Sequence, residues 1–286
     1  MKVLVNIIYF NTNKENFLEK LINEYDSYQS TVDIFIHSNK KYINNLKDIK
    51  YTNGNIVVKK YNLFFRYLLY RNKGYYLTWA PRKFIKKNIK KYDIFIQTDD
   101  DILIPKESFE YWLNEKDKLF SKNYVPGFML LEKDNEGNEF ALGYEKQKIE
   151  KIIKIGDDSY YVNDNHRYMA CWIYDRKMMN YWVESGFYDI KQITKKEDLK
   201  SQILDILKIN NLKIRYLFYN RRNIHGHGIR ENSAYGMNSK DTGLIKDVLF
   251  KIENNKFSNS NKIYHLDAHY SEEDHPIGQT NILDIT

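Results

Sequence analysis

The sequence predicts an α/β fold, and three observations carry that prediction. Val3 to Phe10 is a continuous apolar run of strand length, as in a strand buried on both faces. Phe17, Leu18, Leu21 and Ile22 then recur at helical spacing. A further apolar run, Tyr92 to Thr98, leads without a break into three consecutive aspartates, Asp99, Asp100 and Asp101. Strands alternating with helices are the pattern of an α/β sheet.

In chain order, the strand at 3–10 comes first. Asn11, Thr12 and Asn13 follow as a turn and helix N-cap cluster, so residues 14–25 are expected to be helical. Thr31 to His37 is a second strand, ending at Ser38 and Asn39, and Gly54 to Val58 is a third. Tyr61 to Trp79 mixes aromatics with Arg66, Arg71 and Lys73 and is read as helical, continuing through Pro81 to Lys91. Within it, residues 61–71 either bury Leu63, Tyr67 and Tyr70 as a core helix or rest on an anionic membrane. The strand Tyr92 to Thr98 then meets the acidic triplet. Beyond Ile102, Tyr124–Leu131, Tyr168–Tyr174 and Leu212–Phe218 read as strands, and Arg176–Ser185 and Glu197–Ile209 as helices. Asn223 to Asp241, rich in Gly, Asn and Ser, reads as loop. With no repeat and no linker-like stretch, one continuous domain is expected.

Composition narrows the functional classes. Hydrophobic residues make up 42% of the 286, and twenty-five tyrosines against four prolines and twelve glycines exclude a disordered or fibrous chain. One cysteine, Cys171, excludes an internal disulfide and a cysteine-only zinc site. The opening Met1 to Phe10 is too short for a signal peptide, and no apolar stretch approaches the ~20 residues a membrane helix needs. A cytoplasmic protein is expected, soluble or peripheral at the inner face of the membrane. Between Lys40 and Lys91 fifteen Lys and Arg face one acid, Asp48, although the whole chain carries only +7. Such a block draws nucleotide phosphates, anionic headgroups or nucleic acid, or is simply a solvated surface. No RNP-like strand, zinc finger or helix-turn-helix signature accompanies it, so no nucleic-acid partner is expected.

Three adjacent carboxylates repel one another, and each raises the others' pKa unless a cation is present. Hard Mg2+ or Mn2+ resolves the conflict, because it takes oxygen ligands and bridges them to diphosphate oxygens. If strand geometry persists, Asp99 and Asp101 point to one side and Asp100 to the other. The first two then share a metal while Asp100 meets ribose or sugar hydroxyls. The alternative, a helix-capping cluster before Pro105, Lys106 and Glu107, needs one acid rather than three.

Asp99-x-Asp101 after a hydrophobic strand resembles the DxD motif of GT-A glycosyltransferases. Leu77 to Arg82, with its Thr-Trp-Ala core, followed by Tyr92 to Pro105, is similar to bacterial and viral sugar transferases. The resemblance implies a GT-A type Rossmann-like mixed sheet flanked by helices. Residues 1–105 would form the nucleotide-sugar and metal half, and 106–286 the acceptor half with a C-terminal metal-ligand segment. It also implies Mn2+ or Mg2+, a nucleotide-sugar donor (a UDP-sugar favoured, a GDP-sugar the alternative) and a glycan or lipid-linked acceptor.

Residue by residue, the resemblance gives Asp99 and Asp101 to the metal, joined by a C-terminal histidine. His265 and His269 are the candidates, and His265 is preferred because it directly follows a short apolar stretch. Asp198, with Glu197 beside it, is the candidate general base for the acceptor hydroxyl. Thr194-x-x-Glu197 is equally a capping box. Asn11, Asn39 and Arg82 are candidate nucleotide contacts, as Asp100 is for the donor sugar. The family's glycine-bearing loop falls at Tyr168 to Trp172, where Ala170, Cys171 and Trp172 stand instead. Two rival classes remain: a non-catalytic nucleotide- or carbohydrate-binding protein, and a phosphoester hydrolase using the pair His225 and His227.

Overall fold

The computed structural model describes residues 1–10, 15–40, 43, 46–61, 77–134, 136–142, 151–163, 169–189, 236–254, 256–267 and 279–281. The first unit is β1 (Lys2–Tyr9), α1 (Glu15–Asp26) and β2 (Thr31–Ser38). β1 and β2 pair in parallel from Lys2↔Thr31 to Tyr9↔Ser38, which requires a crossover, here α1. α1 buries Leu18, Leu21, Ile22 and Tyr25 on one face. Each such side chain stabilises the fold by roughly 1.5–3 kcal/mol.

β3 (Ile56–Lys60) adds in parallel to β2. The chain then passes through α2 (Pro81–Asn88) and a 3₁₀ turn, and returns on the other side of β1 as β4 (Ile94–Asp99). After a turn come β5 (Ile102–Leu103) and α3 (Lys106–Phe120). Pro105 at the start of α3 offers no side-chain cap, and the Glu24 carboxylate of α1 accepts from the Lys106 N–H instead, at 2.6 Å.

The expected strand 124–131 is two strands, β6 (Tyr124–Pro126) and β7 (Met129–Lys133). Gly127 divides them, its N–H donating to Leu249 O at 2.8 Å. Then follow β8 (Glu139–Leu142), β9 (Ile152–Ile155), β10 (Asp158–Asn163) and β11 (Cys171–Asp175). β11 starts later than expected because Ala170 adopts a left-handed conformation, φ 49°. α4 (Arg176–Glu184) opens on Asp175, whose side chain accepts from Met178 N–H. The described end of the expected loop 223–241 is packed: Gly236, Met237 and Asn238 are buried in a 3₁₀ turn. β12 (Asp247–Glu253), β13 (Lys256–Phe257), β14 (Lys262–His265) and β15 (Gln279–Asn281) complete the strands among the described residues.

These strands form a first sheet in the order β11-β4-β1-β2-β3, all parallel except β11. A second runs β13-β12-β10-β9, with β6 on β12, and a third runs β15-β8-β7-β14-β5. One hydrophobic cluster extends from Val3 through Trp112 and Trp172 to Ile263. The segments 62–76 and 190–235 contain the expected helix at 197–209 and the strand at 212–218, and lie outside the described residues. No described helix is long and apolar enough to cross a membrane.

Candidate active site

Chain direction sets the location. From β1 the chain moves outward to β2 and β3, then crosses back to place β4 on β1's other flank. Ligands of open α/β sheets gather at such a reversal, outside the carboxyl ends of the strands. The last residue of β4 is Asp99, in register with Ile8 of β1.

The strand ends there. Asp100 and Asp101 form a turn rather than a continued strand, so strand alternation does not orient them. Thr98 Oγ1 closes this turn by donating to the carbonyls of Asp99 and Ile102, both at 3.3 Å. Asp100 is 6% exposed, while Asp99 and Asp101 are half-buried.

Asp101 meets the third sheet. Its carbonyl accepts from Leu266 N–H at 2.8 Å, and His265 is the register partner of Ile102. These contacts bring His265 Nε2 to 3.5 Å from Asp101 Oδ2. On the opposite side of the imidazole, Nδ1 lies 2.6 Å from Glu132 Oε1. Glu132 follows Leu131, the register partner of Tyr264, so β7 and β14 present Glu132 and His265 side by side. Burial opposes a charge on His265, but Asp101 and Glu132 outweigh it and raise its pKa to about 9.

For a divalent cation the arrangement offers two facing donors, Asp101 Oδ2 and His265 Nε2. Cis ligands at about 2.1 Å from an octahedral cation sit about 3 Å apart, so the Asp101–His265 pair, at 3.5 Å, would draw together slightly on binding one. Among the described residues no three His, Cys, Asp or Glu side chains group so as to hold a metal. The geometry explains why: Asp101 and Glu132 occupy opposite nitrogens of one ring. Mg2+-type sites commonly use one or two carboxylates plus substrate phosphates, so a pair of protein donors suits such an ion.

The neighbouring strands are tied by a buried polar chain. Asn6 Nδ2 donates to Ile96 O at 3.2 Å, which leaves Asn6 Oδ1 to accept from His37 Nε2–H at 2.9 Å. His37 Nδ1 then accepts from the Tyr61 hydroxyl at 2.9 Å. Burial, assisted by Lys59, pushes the His37 pKa down to about 3. This series of bonds links the middle of β4 and of β1 to the carboxyl end of β2 and the residue after β3.

The other candidates fall in different places. Asn39 is half-buried just past β2. Arg82, expected at the nucleotide, is 2% exposed and enclosed by rings. Its guanidinium lies 4.1 Å from the Trp182 centroid and 4.6 Å from that of Trp79, and Nη1 donates to Tyr188 O at 3.1 Å. That enclosure makes it a core cation. Cys171, paired with Thr98, is buried; burial, then the Asp99 charge, pushes its thiol well up, so it is an inert thiol. Asn11, Glu197, Asp198, His225, His227 and His269 lie outside the described residues.

Glu132 was not anticipated. Its signal is legible in retrospect as a lone acid closing the apolar run Met129, Leu130 and Leu131.

Several mixed sheets with flanking helices match a GT-A-like fold. No family model matches the chain, and no curated protein matches it. It is similar to a crystal structure of S. aureus TarS residues 1–349, with 13% identity and a TM-score of 0.37, over 66% of this chain and 50% of that one. A crystal structure titled S. aureus TarS is similar at 13% identity and a TM-score of 0.39, over 68% of this chain and 31% of that one. The chain thus spans half or less of the chains it matches.

Proposed function

We propose that this chain is a metal-dependent glycosyltransferase, moving a sugar from a nucleoside diphosphate to a hydroxyl of a glycan or lipid-linked acceptor. The observation that carries this reading is the Asp101–His265 pair, 3.5 Å apart, at the turn where the strand order reverses. Asp101 and His265 would hold Mn2+ or Mg2+ together with donor phosphates, and Asp99, at the end of β4, would join them only by turning toward the pair. A cation bound there offsets negative charge on a departing nucleoside diphosphate. The strands tied by Asn6, His37 and Tyr61 would seat the nucleotide, with Asn39 among its contacts, and a UDP-sugar is favoured. Asp198, with Glu197, is the proposed general base for the acceptor hydroxyl. Residues 1–105 would serve the donor and 106–286 the acceptor. Lys83, Lys86, Lys87, Lys90 and Lys91, exposed on α2 and its 3₁₀ turn, support peripheral contact with an anionic membrane.

The test is thermal unfolding across a panel of nucleotide-sugars with and without Mn2+, followed by release of nucleoside diphosphate with added acceptors. The wild type should be stabilised selectively by one donor, and only with metal. Asp101→Ala should lose the metal-dependent part of that shift. An Asp101→Ala variant that binds and turns over donor normally overturns the reading. Donor binding without turnover identifies a non-catalytic binder, and cleavage of a phosphate ester without acceptor identifies a hydrolase.

A further inference from the structure

The cation reading leaves Glu132 without a role. It is 0% exposed on β7, with one oxygen 2.6 Å from His265 Nδ1. Its other oxygen, Oε2, is buried with no hydrogen-bond partner among the described residues. Burying a carboxylate with half of its acceptor capacity unused is costly, and an apolar residue would pack the strand more favourably. Direct ligation of the Asp101 cation is excluded by direction, since the imidazole ring stands between them. What remains is action through the ring.

We propose that Glu132 is the positioning residue of the cation site: it holds the proton of His265 on Nδ1 and turns Nε2 toward Asp101. This rests on the reading of Asp101 and His265 as cation ligands. A neutral imidazole carries one N–H and one lone pair, and an acceptor at Nδ1 decides which nitrogen has which. Ion binding displaces the Nε2 proton to solvent, and Glu132, accepting from Nδ1–H, keeps the remaining proton there so that the Nε2 lone pair faces the ion. The neighbouring carboxylate also makes the ring a stronger donor, and loss of such a partner typically weakens metal binding by about 10–100-fold. The strand register enforces this: Glu132 and His265 extend the parallel pairing of β7 with β14, while β5 brings Asp101 to the other side.

The experiment measures Mn2+ affinity of the full chain, from loss of the free-ion EPR signal, in wild type, Glu132→Gln, His265→Ala and the double variant. Glu132→Gln should bind Mn2+ about 10-fold or more weakly. In the His265→Ala background the Glu132→Gln effect should vanish, because its route is gone. Should Glu132→Gln not fold, nitrogen-15 NMR of the Mg2+-loaded wild type decides, with His265 expected protonated at Nδ1.

Three results overturn the inference alone: a folded Glu132→Gln binding Mn2+ like a wild type that does bind it, an undiminished effect without His265, or an Nε2-protonated ring. A wild type that binds neither Mn2+ nor Mg2+ overturns the cation reading and this inference together.

Discussion

Arg82 illustrates how one side chain's surroundings assign it. Burial lowers its pKa to about 10, with the opposing influence of Tyr188 and Tyr174 limiting the fall. Tyr188 returns the contact by donating its hydroxyl to Arg82 O at 2.8 Å. A lysine keeps the charge but lacks the planar fork that stacks between rings and donates sideways. Arg82→Lys should therefore cost roughly 2 kcal/mol in urea unfolding, with donor affinity of the folded fraction unchanged. Unchanged stability with weakened donor binding would return Arg82 to the nucleotide. The sequence shows an arginine before the strand that ends at Asp99, but not the four aromatic residues that converge on it from 79, 172, 182 and 188. Ala170 is similar: a glycine is the obvious marker for its left-handed backbone, and here it is absent.

Among elements, legibility follows burial. β1, β2 and β4 are covered on both faces and read as near-continuous apolar runs, so their approximate limits were visible. β9 exposes alternate residues, and β12 carries lysine and two acids, so neither stands out from its surroundings. The division between β6 and β7 depends on Gly127, where an added Cβ would sit 2.3 Å from Val248 Cγ1 and 3.3 Å from Leu249 O. Gly127→Ala should thus destabilise by roughly 1–3 kcal/mol, read as a lower denaturation midpoint at constant m-value. A neutral result would mean that β12 can move away without loss. The α3 start was equally hidden, because its capping acid, Glu24, comes from a different helix.

Across the whole molecule, charge ties α3 to the second sheet. Glu115 of α3 accepts from Lys251 of β12 at 2.8 Å and from the Tyr160 hydroxyl of β10 at 2.6 Å. Burial works against its charge, but Lys118, Lys251 and Tyr160 outweigh this and hold the carboxyl below its ordinary 4.5. Such a group adds stability above its unfolded pKa and loses it as pH falls through the folded one. His37 adds a slope of the same sign, since its folded pKa of about 3 lies below the ordinary 6.5. Stability should therefore decline on acidification from neutral pH. Glu115→Gln should make the part below about pH 4.5 less steep, His37 and the other paired carboxylates keeping some slope there, while leaving the part above it unchanged, in urea midpoints taken across that range. A full acid slope in Glu115→Gln would remove this network from the explanation. At this scale the site was half legible. Asp101 and His265 announce themselves as residue types at telling positions, whereas Glu132 gains meaning only once β7 and β14 are neighbours.

The place of β14 has a consequence for the order of events during synthesis. It lies between β7 and β5, both of which precede it by a long stretch of chain. Until Lys262 to His265 leave the ribosome, β7 and β5 lack the β14 partner that joins them, leaving a gap at their edges, and an unpaired strand edge invites misassociation. The arriving segment fills the gap and delivers the imidazole in the same movement. Under the proposed reading, ion capture by this pair would be a late event in the life of the nascent polypeptide, and a chain stopped before residue 262 should be both ion-blind and prone to aggregate.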